Sequence, residues 1–345
     1  MRRIMAGEVT EVLCFEPGER PVFCLTFTNG EKLVVKSEIR TGSGHADQSI
    51  PLAGAMMGQV SPTVQVEMLD KSEFVSLRTL IQFPGRFRPT QNAEATREYL
   101  ELCTSEEAQP GSAWYKMPFV GQLKDITKGT PGLMLLRLKK PPALFSFGKI
   151  VAVDQFIGNN DRFNAMGELV NEGNLLFQQI DGTISPVGLD FFQAQGQAAN
   201  LLVGPPDWGK NARGKYEYIW GGENLLHENN IRFFADRAIE SLNAYFSKQN
   251  IRRITLFGPD DALEFANGMK EGIRELKQFL LMRGLPEGVR IRMDKLGWPY
   301  NANLPARPVK PAPLFKPARP GAKRPGPTIA GTLLAPVREG TRMAA

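Results

Sequence analysis

The stretch that most constrains this chain is Val151 to Phe192, VAVDQFIGNNDRFNAMGELVNEGNLLFQQIDGTISPVGLDFF. An apolar run, Ala143 to Ile157, leads into the polar loop GNNDRF, which carries Asp161. Apolar on nearly all sides, that run predicts a buried helix. A second apolar segment opens at Asn174, reaches Asp181-Gly182, and is followed by a third that closes on Asp190. Asp-Gly between two β-prone runs predicts a tight hairpin. With Asp181 and Gly182 as its turn, Ile180 faces Thr183, and Asn174 falls beside Asp190 at the open end. An amide and a carboxylate there, with the Asp161 loop entering the same end, suit a hard cation that takes few protein oxygens plus phosphate and water. That is the layout of a phosphoryl-transfer site.

The ordered set Asn160-Asp161-Arg162, a later Gly173-Asn174, and an Asp ending the next hairpin resembles the atypical kinases. Of these it is most similar to the actin-fragmin kinase catalytic domain, and more distantly to HipA-like and phosphoinositide-kinase-like proteins. The resemblance implies that Asp161 is the catalytic carboxylate and that Asn174 and Asp190 hold Mg²⁺ or Mn²⁺ for ATP. It covers roughly residues 150 to 192, with weaker support from residues 8 to 62. Two departures stand out. Many relatives have His after the Asp-Arg pair, where this chain has Phe163. Protein kinases place the metal Asn five residues after the catalytic Asp, a position held here by Met166, so that Asn171 competes with Asn174 for the role.

Nearer the start, residues 8 to 36 predict three strands, with Asn29-Gly30 as a type I′ turn between the second and third. Lys36 closes the third strand, where a kinase-like N-lobe keeps the lysine that meets the α/β-phosphates. The preceding loop Glu16-Pro17-Gly18-Glu19 is acidic and not glycine-rich. A helix is expected between Gly44 and Pro62, either kinked at Pro51 or starting there with Ser49 as cap. The resemblance asks for a Glu on this helix to pair with Lys36; the stretch offers Asp47 and Gln48, with Glu38 and Glu67 as outside substitutes. Thr63 to Leu69 and Phe74 to Ile81 are expected as strands, 84 to 112 as a loop with a short helix, and Tyr115 to Val120 as a last N-lobe strand. Pro118 to Gln122 is then the candidate hinge. Further on, 193 to 226 is expected as an irregular connector, followed by two amphipathic helices. Their apolar stripes run along Ile231, Phe234, Ala238, Leu242 and Phe246, and along Phe265, Met269, Ile273, Leu276 and Leu280. Pro259-Asp260-Asp261 marks the start of the second.

The charge of +6 is concentrated in the tail: from Pro299 to Ala345 there are eight Lys/Arg against one Glu, together with ten of the 26 prolines. That composition predicts an extended or disordered segment, either a solvated tail or one suited to docking on proline-binding modules or an acidic surface, and leaves the remainder near neutral, without a basic stripe for nucleic acid. Three cysteines lack metal spacing, and the odd number argues against a disulfide framework. With two histidines, His45 and His227, most His-dependent sites are out of reach. No Walker A, GxGxxG after a strand, HExxH or GxSxG occurs. No apolar run reaches the length of a membrane span and no secretory signal is evident, so the expected place of action is the cytoplasm.

The expected fold is therefore α+β and two-lobed, of protein-kinase-like type. It has an N-lobe over 1–122, a C-lobe over 123–298 and a flexible tail over 299–345. The expected function is ATP- and Mg²⁺-dependent phosphoryl transfer to a hydroxyl, most simply a protein Ser/Thr. The alternatives are a pseudokinase that binds a partner, or a kinase-fold transferase acting on a lipid or small molecule or moving AMP.

Overall fold

A computed structural model of the protein describes residues 1–15, 22–39, 46–82, 85, 87–89, 112–180, 183–191, 201–202, 226–249, 251 and 254–305. The Glu16–Glu19 loop, most of 84–112, nearly all of 193–226 and the tail beyond Pro305 lie outside them.

Three antiparallel strands open the chain: β1 (Val9–Cys14), β2 (Val22–Phe27) and β3 (Lys32–Ile39). β6 (Ser112–Pro118) pairs antiparallel with β3, and the short β4 (Glu67–Met68) pairs with β6. β5 (Phe87–Pro89) runs parallel to β1 at the far edge, which completes a six-stranded sheet of order β4-β6-β3-β2-β1-β5.

Alternation gives this sheet two apolar faces. One face carries Val12, Phe23, Leu25, Leu33, Val35 and Trp114, sealed by Phe74, Leu77, Leu80 and Ile81. Those four residues belong to α2 (Lys71–Gln82), so the strand expected over Phe74 to Ile81 is a helix. Its residue types are β-prone, but their spacing is helical, and burying each is worth about 1.5–3 kcal/mol, more than the roughly 1 kcal/mol span of β-propensity. A capping box fixes its start: Asp70 Oδ1 accepts from Glu73 N at 2.8 Å, and Glu73 Oε2 accepts from Asp70 N at 3.2 Å. Of the strand expected over Thr63 to Leu69, only Glu67 and Met68 pair.

The second face of the sheet meets α1 (Ala46–Val60), with Tyr115 and Met117 packing in the same core as Ile50, Ala53, Met56 and Met57. Pro51 sits inside α1, and Ser49, the expected cap, is a fully buried helical residue. Lys36 is not the end of its strand either, since β3 continues to Ile39.

After β6 comes a second sheet of β7 (Leu123–Asp125), β8 (Leu176–Ile180) and β9 (Thr183–Val187). The β8–β9 register runs from Ile180↔Thr183 out to Leu176↔Val187, as the Asp-Gly turn predicts. The rest is helical: α3 (Pro131–Leu138), α4 (Pro141–Ile157), α5 (Glu228–Lys248), α6 (Pro259–Leu281) and α7 (Glu287–Leu296). α3 and α7 are not among the sequence expectations. α4 is the buried helix, and α6 crosses it closely enough that a Cβ on Gly148 would strike the Phe265 carbonyl, and one on Gly268 the Phe145 carbonyl. Asp261 Oδ2 accepts from Gly258 N at 2.7 Å, so the expected start of α6 holds. Contacts with the helical part extend past 298: Arg290 Nη2 donates to the Leu304 carbonyl at 3.0 Å. A β-rich first part followed by a helical part with an inserted hairpin is a mixed α+β organisation that resembles a kinase-like fold. Among the described residues, no helix is long and apolar enough to cross a membrane.

Candidate active site

The helix α4 delivers the site. Its last turn ends at Gly158, whose φ of 80° is left-handed and reverses the chain into Asn159 and Asp161. Asp161 Oδ2 accepts a hydrogen bond from Asn174 Nδ2 at 2.6 Å, which joins the loop after α4 to the turn before β8. Asn171, the competing amide, is used differently: its Oδ1 accepts from Gly173 N at 3.0 Å and caps the 3₁₀ turn Glu172–Asn174. Of the two asparagines, Asn174 is the one turned toward Asp161.

Asp190 follows β9 at the open end of the hairpin and forms an ion pair with Lys36 of β3. Lys36 alternates with Leu33 and Val35, so it leaves the sheet on the face opposite α2. That same alternation rules out one substitute partner. Glu67 pairs across β4 with Lys116, and Lys116 pairs with Val35, which sets Glu67 on the other face from Lys36. Its carboxylate instead meets Lys116 at 3.5 Å and the Met1 amino group. The side chains of Glu38 and Asp47 are outside the described set.

Asp190 has φ of 54°, the left-handed region that a residue with a side chain seldom occupies. Neighbours hold the turn. Gly188 N donates to Ser61 Oγ at 3.0 Å just past α1, and a Cβ on Gly188 would strike Met57. Phe191 is buried behind it.

Beneath the four candidate residues lies a polar layer that sequence patterns do not reveal. Asp154, Asn159 and Arg162 are at most 1% exposed. Arg162 Nη1 donates to Asp154 Oδ2 at 2.6 Å, and Asn159 Nδ2 to Asp154 Oδ1 at 2.8 Å. Burial pushes the Asp154 carboxyl above its ordinary value, opposed by the Arg162 guanidinium and the Asn159 amide. Phe163, which stands where many relatives have His, packs its ring against Phe147, Phe234 and Phe265 with centroids 5.8–6.4 Å apart. It serves the core and does not face the site.

Lys36, Asp190, Asn174 and Asp161 are thus brought together as two contacting pairs. Asp190 offers carboxylate oxygens, with its side chain 37% exposed. Asn174, whose amide nitrogen is committed to Asp161, offers an amide oxygen. These are hard donors that fit Mg²⁺ or Mn²⁺, and two protein groups with phosphate and water are enough. Among the described residues, no cluster of three or more His, Cys, Asp or Glu forms a rival site.

No protein-family model and no curated protein sequence matches the chain. Solved structures do, and two of them are of one kinase. The crystal structure of the Golgi casein kinase aligns over 78% of this chain and 73% of its own, at 12% identity and TM-score 0.29. The same kinase with Mn/ADP bound aligns over 81% and 76%, at 9% identity and TM-score 0.27. Both are kinases.

Proposed function

We propose that this chain transfers the γ-phosphoryl group of ATP to a hydroxyl, most simply a Ser or Thr of a protein. The observation that carries the reading is the meeting of Lys36 with Asp190 and of Asn174 with Asp161, from segments as much as 154 residues apart. In this reading Asp161 accepts the proton as the acceptor oxygen bonds to the γ-phosphorus and the bond to the β-phosphate oxygen breaks, releasing ADP. Asn174 and Asp190 hold Mg²⁺ or Mn²⁺, which when bound neutralises phosphate charge. Lys36 exchanges its contact with Asp190 for the α/β-phosphates when nucleotide enters. Positioning and electrostatics dominate such transfers, so the mutual geometry of these residues matters more than their individual pKa values. The basic, proline-rich tail is proposed to help dock a protein substrate.

The test is incubation of the purified protein with γ- or α-labelled ATP, Mn²⁺ and a cell lysate. Transfer of γ label to protein supports the reading. Transfer of α label identifies an AMP transferase. Nucleotide binding without transfer of either label makes the chain a binding module on a kinase scaffold.

A further inference from the structure

Asp154, Asn159 and Arg162 take no part in the chemistry proposed above, yet each is buried and each is tied to it. Asp154 is the hub. Its carboxylate accepts from Arg162 at 2.6 Å and from Asn159 at 2.8 Å, and its backbone carbonyl accepts from Asn159 N at 2.8 Å. Two arms leave the hub. Arg162 Nε donates to the Asn174 carbonyl at 2.9 Å, and Asn159 Nδ2 donates to the Asp190 carbonyl at 3.0 Å. Asn159 Oδ1 also faces Asp161 N at 3.4 Å. Both arms end on the main chain of the two residues proposed to hold the metal, and neither touches the side-chain oxygens that would bind it.

We infer that Asp154, Asn159 and Arg162 form a positioning unit that sets the backbones of Asn174 and Asp190 in register before any ligand arrives. The metal role it serves rests on the kinase reading. Two physical points carry the inference. First, Asp190 is held at a positive φ that is costly for a residue with a Cβ, and such a conformation persists only where the surroundings over-determine it. The Asn159 amide on its carbonyl is one such restraint. Second, a buried Asp–Arg pair is a poor way to gain stability, since apolar side chains of like volume often serve as well. Apolar residues would fill the same space, but they could not reach two carbonyls on separate turns. Groups just behind metal ligands commonly set ligand orientation and so affinity.

The experiment uses the full chain without ligand and reads amide hydrogen exchange by mass spectrometry. The double variant Asp154→Leu/Arg162→Met replaces the pair with apolar bulk. It is expected to raise exchange over 174–176 at least about tenfold while exchange in α6 stays unchanged, the pattern of local opening. Asn159→Ala is expected to raise exchange over 188–191 and leave 174–176 alone. Exchange unchanged at both turns, or raised uniformly through α4 and α6, overturns the inference. Should the double variant not fold, the selectivity of Asn159→Ala decides. In a second measurement, the Mn²⁺ concentration for half-maximal ADP binding should rise by about 10–100-fold in the double variant. If the parent protein binds no Mn²⁺·ADP, the kinase reading fails, while the exchange data still decide the positioning role.

Discussion

The ammonium of Lys36 and the carboxylate of Asp190 meet in an ion pair across 154 residues of chain. The pair joins the β-rich sheet to the hairpin of the helical part; Lys36 is largely buried and Asp190 reaches solvent, with side-chain exposures of 13% and 37%. Because Asp190 still reaches solvent when Lys36 is replaced, no buried charge is stranded, and the contact is worth little to stability, on the order of 1 kcal/mol. In the proposed function its value is geometric, since it would put a cation against the phosphates and an anion against the metal. Lys36→Met is accordingly expected to weaken ATP binding by tenfold or more while moving the melting temperature by no more than about 2 °C, checked by calorimetry and thermal unfolding.

On the opposite face of the sheet a second pair does the structural work. Lys116 and Glu73 meet at 2.5 Å with side chains 5% and 4% exposed. Glu73 Oε1 also accepts from Ile4 N at 2.9 Å, and Lys116 Nζ donates to the Arg2 carbonyl at 3.0 Å, so the pair fastens the first residues to α2 and β6. Breaking it leaves the buried Lys116 ammonium with only the more exposed Glu67 carboxylate at 3.5 Å, a loss of up to about 3–5 kcal/mol. Glu73→Ala should show that loss in denaturant unfolding, and Glu73→Leu/Lys116→Met should recover most of it. Equal losses in the two would mean that the anchoring of residues 2–4 and the cap on Asp70 N matter more than the charge.

Cys14 and Cys24 are buried thiols, and burial pushes Cys14 up to about 11 and raises Cys24 as well. At pH 8 only about one part in 10³ of Cys14 is then thiolate. Both should react with a thiol reagent slowly in the native protein and fast in denaturant. The sign of the linkage follows: a folded pKa above the unfolded value of about 8.5 gives stability fully present below pH 8.5 and lost as pH rises through about 11. Cys14→Ala should flatten the part of the melting-temperature decline that falls between those limits.

How much of this was readable in the chain depends on whether the signal was local. The hairpin register was, because Asp181-Gly182 pins Ile180 to Thr183 and every pair then follows. The stripes of α5 and α6 were, because long amphipathic periods outlast local noise. α2 was missed because Phe74, Val75, Thr79 and Ile81 are β-prone types; the box Asp70-x-x-Glu73 was the cue that would have corrected it. α3 and α7 also carried local marks, with Pro131 at the first position of one and Gly297 at a φ of 64° closing the other. The exclusion of Glu67 as partner for Lys36 had no such mark. It depends on the β4–β6–β3 pairing, which brings together strands far apart in sequence. The pairing of Arg162 with Asp154 was equally illegible: nothing in residue type or spacing tells that the loop after α4 folds one over the other.

The tail gives a test of composition alone. Proline and basic residues without apolar periodicity predict no packed core there. Removal of everything after Pro305 should leave the melting temperature within about 2 °C of the parent. A larger drop would show that the segment packs on the folded chain.

The roles assigned to the two aspartates can be separated by the same conservative change. Asp190 sits at φ 54°, and Asn is among the residues that tolerate that region best, so Asp190→Asn removes the charge and keeps the backbone. Lys36 loses its ion-pair partner and the metal site loses its formal anion, so Mg²⁺-dependent ATP affinity and turnover should fall together. Asp161→Asn acts elsewhere. Its side chain contacts Asn174 at 2.6 Å and is not paired with Lys36, so nucleotide affinity should hold within a few fold. Turnover should drop by roughly 10² or more, the loss expected for a positioned general base. Calorimetry with Mg²⁺·ATP and label transfer on the same two proteins check both statements. Full transfer activity in Asp161→Asn would show that this carboxylate does not take the acceptor proton. Unchanged ATP affinity in Asp190→Asn would remove Asp190 from the metal site.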